Sequence, residues 1–158
     1  MRIRPTVSVI GVFLVAFANI GVAADAPVLT SGQGIKWGPP PPVLPPGAKF
    51  AVINGDPGKT GNVTVRLRMP PGYTIPPHFH PTDEHVTVLS GDFSIGMGDS
   101  IDKTQSLHLS AGGYAVAMAA MHHYAYTTKG ATVQVHMQGP FAITYVNPQD
   151  DPSKTHSP

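Results

Sequence analysis

From Val63 to Met69 the chain reads VTVRLRM, with Val63, Val65, Leu67 and Met69 at one parity and Thr64, Arg66 and Arg68 at the other. A side-chain period of two is the signature of a strand with one apolar face. The segments HVTVLSG, DFSIGMGD, SLHLSAGG, YAVAMAA, HYAYTT, ATVQVHM and FAITYV follow at short spacing, and Gly, Pro, Asn or Asp punctuate many of the gaps. No window keeps a helical apolar period over three turns. Short, regularly spaced strands with turn signals predict an all-β sandwich or barrel over residues 50–147.

The two ends break this pattern. Arg2 and Arg4 precede VSVIGVFLVAFANIGVA, an uncharged apolar run that closes on small residues at Val22 and Ala24. That order is a secretory signal peptide over residues 1–24, cleaved after Ala24, with Ala23 the neighbouring alternative. A membrane anchor competes, but the run is short beside the roughly 20 residues of a spanning helix, and no stop-transfer cluster follows. The expectation is a protein exported to the periplasm or beyond, with no stable membrane insertion once the leader is removed.

Residues 25–49 form an extended arm centred on WGPPPPVLPPGA, whose consecutive prolines favour a polyproline II path. Such a segment serves either as a stiff lead-in packed across the domain or as a ligand for a proline-recognising module; the first use is the commoner. Trp37 would anchor it on the core or on a neighbouring subunit. Residues 148–158, PQDDPSKTHSP with Asn147 before them, are polar and proline-broken and predict a loose tail.

Removing the leader changes the charge balance. Arg2 and Arg4 are two of the 10 basic residues, so 8 remain against 9 acidic ones, a formal net charge of −1. No basic patch suggests nucleic acid. The chain has no cysteine, which excludes thiolate ligands, thiol catalysis and disulfide staples even in an exported protein.

The chemistry concentrates in GYTIPPHFHPTDEHVTVLSG, residues 72–91, which holds three histidines and Glu84, the one glutamate of the chain. His78 and His80 are two apart and share a face of an extended strand, with Phe79 opposite. Pro76, Pro77 and Pro81 make a helix there unfavourable. Glu84 follows a short turn and shares a parity with Val86 and Val88, whereas His85 has the opposite one. If Glu84 points inward, two imidazoles and a carboxylate converge on one point, a donor set suited to a divalent transition metal. Read separately, they are three polar groups in a turn.

The spacing Gly72, His78, His80, Glu84, Gly91 resembles the first conserved motif of the cupin superfamily, with every named position filled. The second cupin motif, laid on GGYAVAMAAMHHYAYT from Gly112, keeps Gly112 and His123. It places Met118 at the motif proline, Ala120 at its glycine and Thr127 at its asparagine. The resemblance implies a double-stranded β-helix barrel of jelly-roll type, commonly dimeric, with one metal held by His78, His80, Glu84 and His123. Iron, manganese, nickel, copper and zinc all suit that set. His122 is the alternative fourth ligand, because a one-residue shift in the turn would exchange it with His123. A longer stretch, from WGPPPPVLPPGAKFAVINGDPGKTG to GPFAITYVNPQDDP, is similar to small secreted bacterial cupins.

Cupins that keep all four ligands include dioxygenases, isomerases and lyases, so the resemblance implies a metal-dependent enzyme acting on a small molecule. A non-catalytic protein that binds or senses metal or a small ligand is the alternative. Arg66, Gln134 and His136 lie on alternating strands, where they line either the pocket or an outer sheet face. His136 is the candidate acid or base if it faces inward. Asp83 is expected to cap a turn, and Tyr124 and Tyr126 to lie on the face opposite His123.

Overall fold

The computed structural model describes residues 30–154. The expected leader and its cleavage site lie outside the described residues, as do residues 25–29 and 155–158. Among the described residues no helix is long and apolar enough to cross a membrane.

The described residues form ten strands in order: β1 (Lys49–Asn54), β2 (Gly61–Met69), β3 (Thr74–Phe79), β4 (Glu84–Gly91), β5 (Phe93–Met97), β6 (Leu107–Leu109), β7 (Tyr114–Ala117), β8 (His123–Tyr126), β9 (Ala131–Gly139) and β10 (Thr144–Tyr145). They form two five-stranded sheets, β1-β2-β9-β4-β7 and β10-β3-β8-β5-β6. Every pairing is antiparallel. The result is a double-stranded β-helix of jelly-roll type, as the strand spacing and the motif resemblance predict.

The period-two pattern decides which face is inner. Val63, Val65, Leu67 and Met69 of β2 are buried, and so are Val133, Val135 and Met137 of β9 and Val86 and Val88 of β4. Ile75, Phe93, Ile95 and Ala125 close the same core from the other sheet. β8 is buried on both faces. Tyr124, on its outer side, is fully covered; its hydroxyl donates to the Asp102 carbonyl at 2.6 Å and accepts from the Asp102 amide at 3.0 Å.

The turn between β8 and β9 is organised by Asp92. Its carboxylate accepts from Thr127 Oγ1, Thr128 N, Thr128 Oγ1 and Lys129 N at 3.0, 3.0, 2.5 and 2.8 Å. Thr127, at the motif asparagine position, also accepts from the Gly130 amide at 2.9 Å. One hydroxyl therefore ties this corner together without the asparagine amide. Gly91, just before Asp92, has φ +83°, and a Cβ there would overlap the Gly130 carbonyl.

The described part of the arm packs on the barrel. Gly38 and Phe50 exchange both backbone hydrogen bonds, at 2.8 and 3.0 Å. The Arg68 guanidinium lies 4.3 Å from the centre of the Trp37 ring, so Trp37 anchors the arm to the outer side of β2. Residues Pro148–Asp150 and Pro152–Lys154 form two 3-10 turns, the first capped by the Asn147 side chain, which accepts from Gln149 N at 3.2 Å. Asn and Asp beside proline set the turn conformation locally.

Candidate metal centre

Three imidazoles meet at one end of the barrel. β3 carries His78 and leads into His80, while β8 begins at His123, and His78 and His123 are direct partners across the β3–β8 pair. A register irregularity between Ile75 and His78, at the two prolines, locally interrupts this ladder. Glu84 opens β4 in the facing sheet. The centre therefore joins the two sheets.

All three rings are buried, with exposures of 3% for His78, 4% for His80 and 1% for His123. Each turns its Nδ1 to a backbone carbonyl: His78 to Pro76 at 2.7 Å, His80 to Ala142 at 2.7 Å, and His123 to Met121 at 2.9 Å. A carbonyl only accepts, so each Nδ1 carries a proton, and in its neutral form each ring presents the Nε2 lone pair. Ligand atoms of the three lie within 4.8 Å of one another. The Glu84 carboxylate stands 3.6 Å from His80 Nε2 and 3.3 Å from His123 Nε2. Among the described residues His80 Nε2 and His123 Nε2 are buried with no hydrogen-bond partner. Buried nitrogens turned toward one carboxylate are a costly arrangement for a protein alone, and a fitting one for a cation.

Electrostatics agree with that fit. Burial, followed by the charges of His123 and His80, pushes His78 down to about 3, which keeps it neutral and ready to donate a lone pair. Burial pushes Glu84 up, but the adjoining His123 ring and the charges of His80, His123 and His78 outweigh it and hold the carboxyl at about 2. Burial lowers His123 as well; the close approach of the Glu84 carboxylate and its charge reverse this and raise it. Without a bound cation, His123 is the ring that Glu84 draws toward protonation.

The structure separates His123 from His122. His122 turns outward, stacks on Phe79 at 5.0 Å between ring centroids, and places Nδ1 2.6 Å from Asp99 Oδ1. The turn before them keeps its shape despite lacking the motif Pro and Gly. Ala120 takes the motif glycine's place at φ +60°, and its amide donates to the His80 carbonyl at 2.8 Å. Asp83 caps the same turn by accepting from Ala119 N at 2.7 Å.

Arg66, Gln134 and His136 do not reach the centre. Their neighbours Val65, Leu67, Val133, Val135 and Met137 take the inner face, so alternation sends all three to the outer face of the sheet. There Arg66 Nε donates to Gln134 Oε1 at 2.9 Å, and Thr64 Oγ1 meets His136 Nδ1 at 2.9 Å. His85 is also outside, 2.6 Å from the Tyr114 hydroxyl.

Space beside the centre is small. Two cavities of about 30 Å³ each touch both His78 and Glu84. That is room for a water or two. One is walled by Ile75, Phe93, Ile95 and Ala125. The other is walled by Leu44 of the arm, Phe50, Phe141 and Ile143. Leu44, Phe141 and Ile143 were not foreseen as site residues. The signal for Leu44 was present: Val43–Leu44 is an apolar pair enclosed by prolines on both sides.

Comparison with known proteins agrees with this geometry. The family model of the ChrR cupin-like domain matches residues 26–142. The fold is similar to a candidate acetylacetone dioxygenase from Methylibium petroleiphilum PM1, with a TM-score of 0.63 and 16% identity, covering 81% of this chain and 86% of that one. It is similar to the DMSP lyase DddQ from Ruegeria pomeroyi DSS-3 at a TM-score of 0.59 and 18% identity, covering 75% and 64%. The polyketide cyclase RemF from Streptomyces resistomycificus gives 0.56 and 19%, covering 70% and 80%. No curated protein matches the chain. A jelly-roll barrel with a buried trio of histidines, matched over most of its length by one family model, places this chain in the ChrR cupin-like domain family.

Proposed function

We propose that this protein is an exported, metal-binding cupin that acts on a small molecule at a centre formed by His78, His80, Glu84 and His123. The observation that carries the reading is the pair of buried, unpartnered Nε2 atoms of His80 and His123 turned toward the Glu84 carboxylate. A divalent transition metal held there would supply Lewis acidity to a coordinated oxygen. The chain's own groups keep the three rings in the Nδ1–H tautomer, exclude bulk water, and supply one negative charge through Glu84. The similar solved structures named above include a lyase, a cyclase and a candidate dioxygenase, which supports an enzyme acting on a small molecule; the reaction types we infer from the donor set are dioxygenase, isomerase or lyase. Export to the periplasm or beyond rests on the basic-apolar-small order of residues 1–24.

One observation favours a second reading, a non-catalytic protein that binds metal or a very small ligand. The cavities at the centre, about 30 Å³ each, are far below the roughly 300 Å³ at which substrate pockets begin. Turnover separates the two. Mature protein loaded with each candidate metal is offered a panel of small carbonyl and hydroxy compounds, with oxygen uptake and product formation followed together. The enzyme reading expects metal-dependent turnover that Glu84→Gln abolishes. Full metal loading without turnover of any compound supports the binding protein instead.

A further inference from the structure

The proline-rich arm crosses the barrel end in a way that points at one residue. Leu44 is 7% exposed and lines the same cavity as His78, His80 and Glu84. Its amide closes a turn onto the Pro41 carbonyl at 2.9 Å. The carbonyls on either side of it are both held by barrel tyrosines: Tyr145 Oη donates to Val43 O at 2.7 Å, and Tyr73 Oη donates to Pro45 O at 2.5 Å. Tyr145 also packs its ring 6.0 Å from that of His78. Pro41, Pro42, Pro45 and Pro46 flank the leucine and limit the alternative backbone paths of this stretch. A single apolar side chain is thus held over the centre from both sides.

The rest of that cavity wall is apolar: Phe50, Val65, Leu67, Ile75, Val135, Met137, Phe141 and Ile143. Apart from the four proposed ligands, no charged side chain among the described residues lines either cavity. The strand cations Arg66 and Arg68 lie on the outer face. A ligand portion that reaches past the donors therefore meets hydrocarbon, where a charged tail would be left unpaired at a cost of several kcal/mol or more. We propose that Leu44 is the specificity-determining residue of this site, and that it restricts the site to small ligands whose body beyond the donor atom is apolar and uncharged. This rests on the same residues as the function proposed above, but its test needs no metal.

The test is NMR on chelator-treated, folded protein, read on both the probe and the histidine ring resonances, with benzene and benzoate as probes. An apolar cavity enlarged by a leucine truncation takes up benzene when the surrounding fold holds. Wild type is expected to bind neither probe. Leu44→Ala is expected to bind benzene and not benzoate, with ring-resonance shifts at His78 and His80 and none at His85 or His136. Leu44→Val, the milder truncation, gives the same direction if Leu44→Ala loosens the arm. Benzene uptake by wild type, no gain in either variant, shifts confined to the outer histidines, or equal binding of benzoate would each overturn the proposal. Failure of divalent metal to load overturns the metal reading alone and leaves this result standing.

Discussion

His123 and Glu84 begin strands in opposite sheets, yet His123 Nε2 lies 3.3 Å from the Glu84 carboxylate at the barrel end. Their contact explains why His123 is raised and Glu84 is lowered, since each favours the charged form of the other. It also explains why the centre depends on the whole fold: β4 and β8 come together only when the barrel closes.

Glu84→Gln keeps the shape of the side chain and removes its charge. It is expected to weaken divalent-metal affinity by at least roughly 10- to 100-fold, the loss seen when even outer partners of metal ligands are removed. His85→Ala, on the opposite face and bonded only to Tyr114 in the contacts described, is expected to leave affinity unchanged. Competition titration against a coloured chelator measures both. Equal losses would mean that the two faces of β4 have been misassigned.

Metal-free protein should lose stability in a defined acid window. His78 is held at about 3 in the fold against 6.5 for a free histidine. Between those values the unfolded chain takes up a proton that the native state refuses, so stability falls as pH drops from 6.5 toward 3. The effect of this one ring is of order a few kcal/mol, and His78→Gln should flatten that part of the profile. Urea midpoints of chelator-treated protein across the range read it directly, and an unchanged slope in the variant would refute the assignment.

Asp92 gives a second pH signature, with the opposite partners. Hydrogen bonds from Thr128, Lys129 and Thr127 hold its carboxyl below the usual range. A depressed acid contributes stability above its unfolded value of 3.8, and that contribution disappears as pH falls through the lower native one. Asp92→Asn should lower the melting temperature at pH 7 by several degrees and narrow its gap to wild type in strong acid. Metal affinity should be unaffected, since Asp92 touches the β8–β9 turn and no ligand.

Ala120 sits at φ +60° where the cupin motif has glycine. A left-handed L-residue costs roughly 1–2 kcal/mol, and glycine's extra freedom in the unfolded chain returns roughly 0.5–1 of that. Ala120→Gly is therefore expected to stabilise the fold by about 0.5–1 kcal/mol, measured by chemical denaturation. Destabilisation would show that the Ala120 methyl makes contacts outweighing its backbone conformation.

How far the sequence reached follows from what periodicity can encode. Alternation in Val63–Met69 and Ala131–Met137 located β2, β9 and their inner faces, because burial on one face leaves a direct trace. The same alternation could not say whether Arg66, Gln134 and His136 faced a pocket, since that depends on which side of the sheet the barrel closes. It does settle the matter once Val65 and Val135 are seen inside. His123 over His122 followed from spacing to Gly112, and the structure assigns the outward place to His122 through Phe79 and Asp99. Leu44 escaped because its role is set by a chain path across the barrel end, held by tyrosines 28 and more residues away.

The most direct test of the centre is elemental analysis of the mature chain, produced natively and also after chelation and reloading. Three Nε2 lone pairs and one carboxylate at a single point predict about one divalent transition metal per chain in both preparations, falling well below that in Glu84→Gln and His123→Ala. A folded wild-type protein that carries no metal and takes up none on reloading would contradict the account.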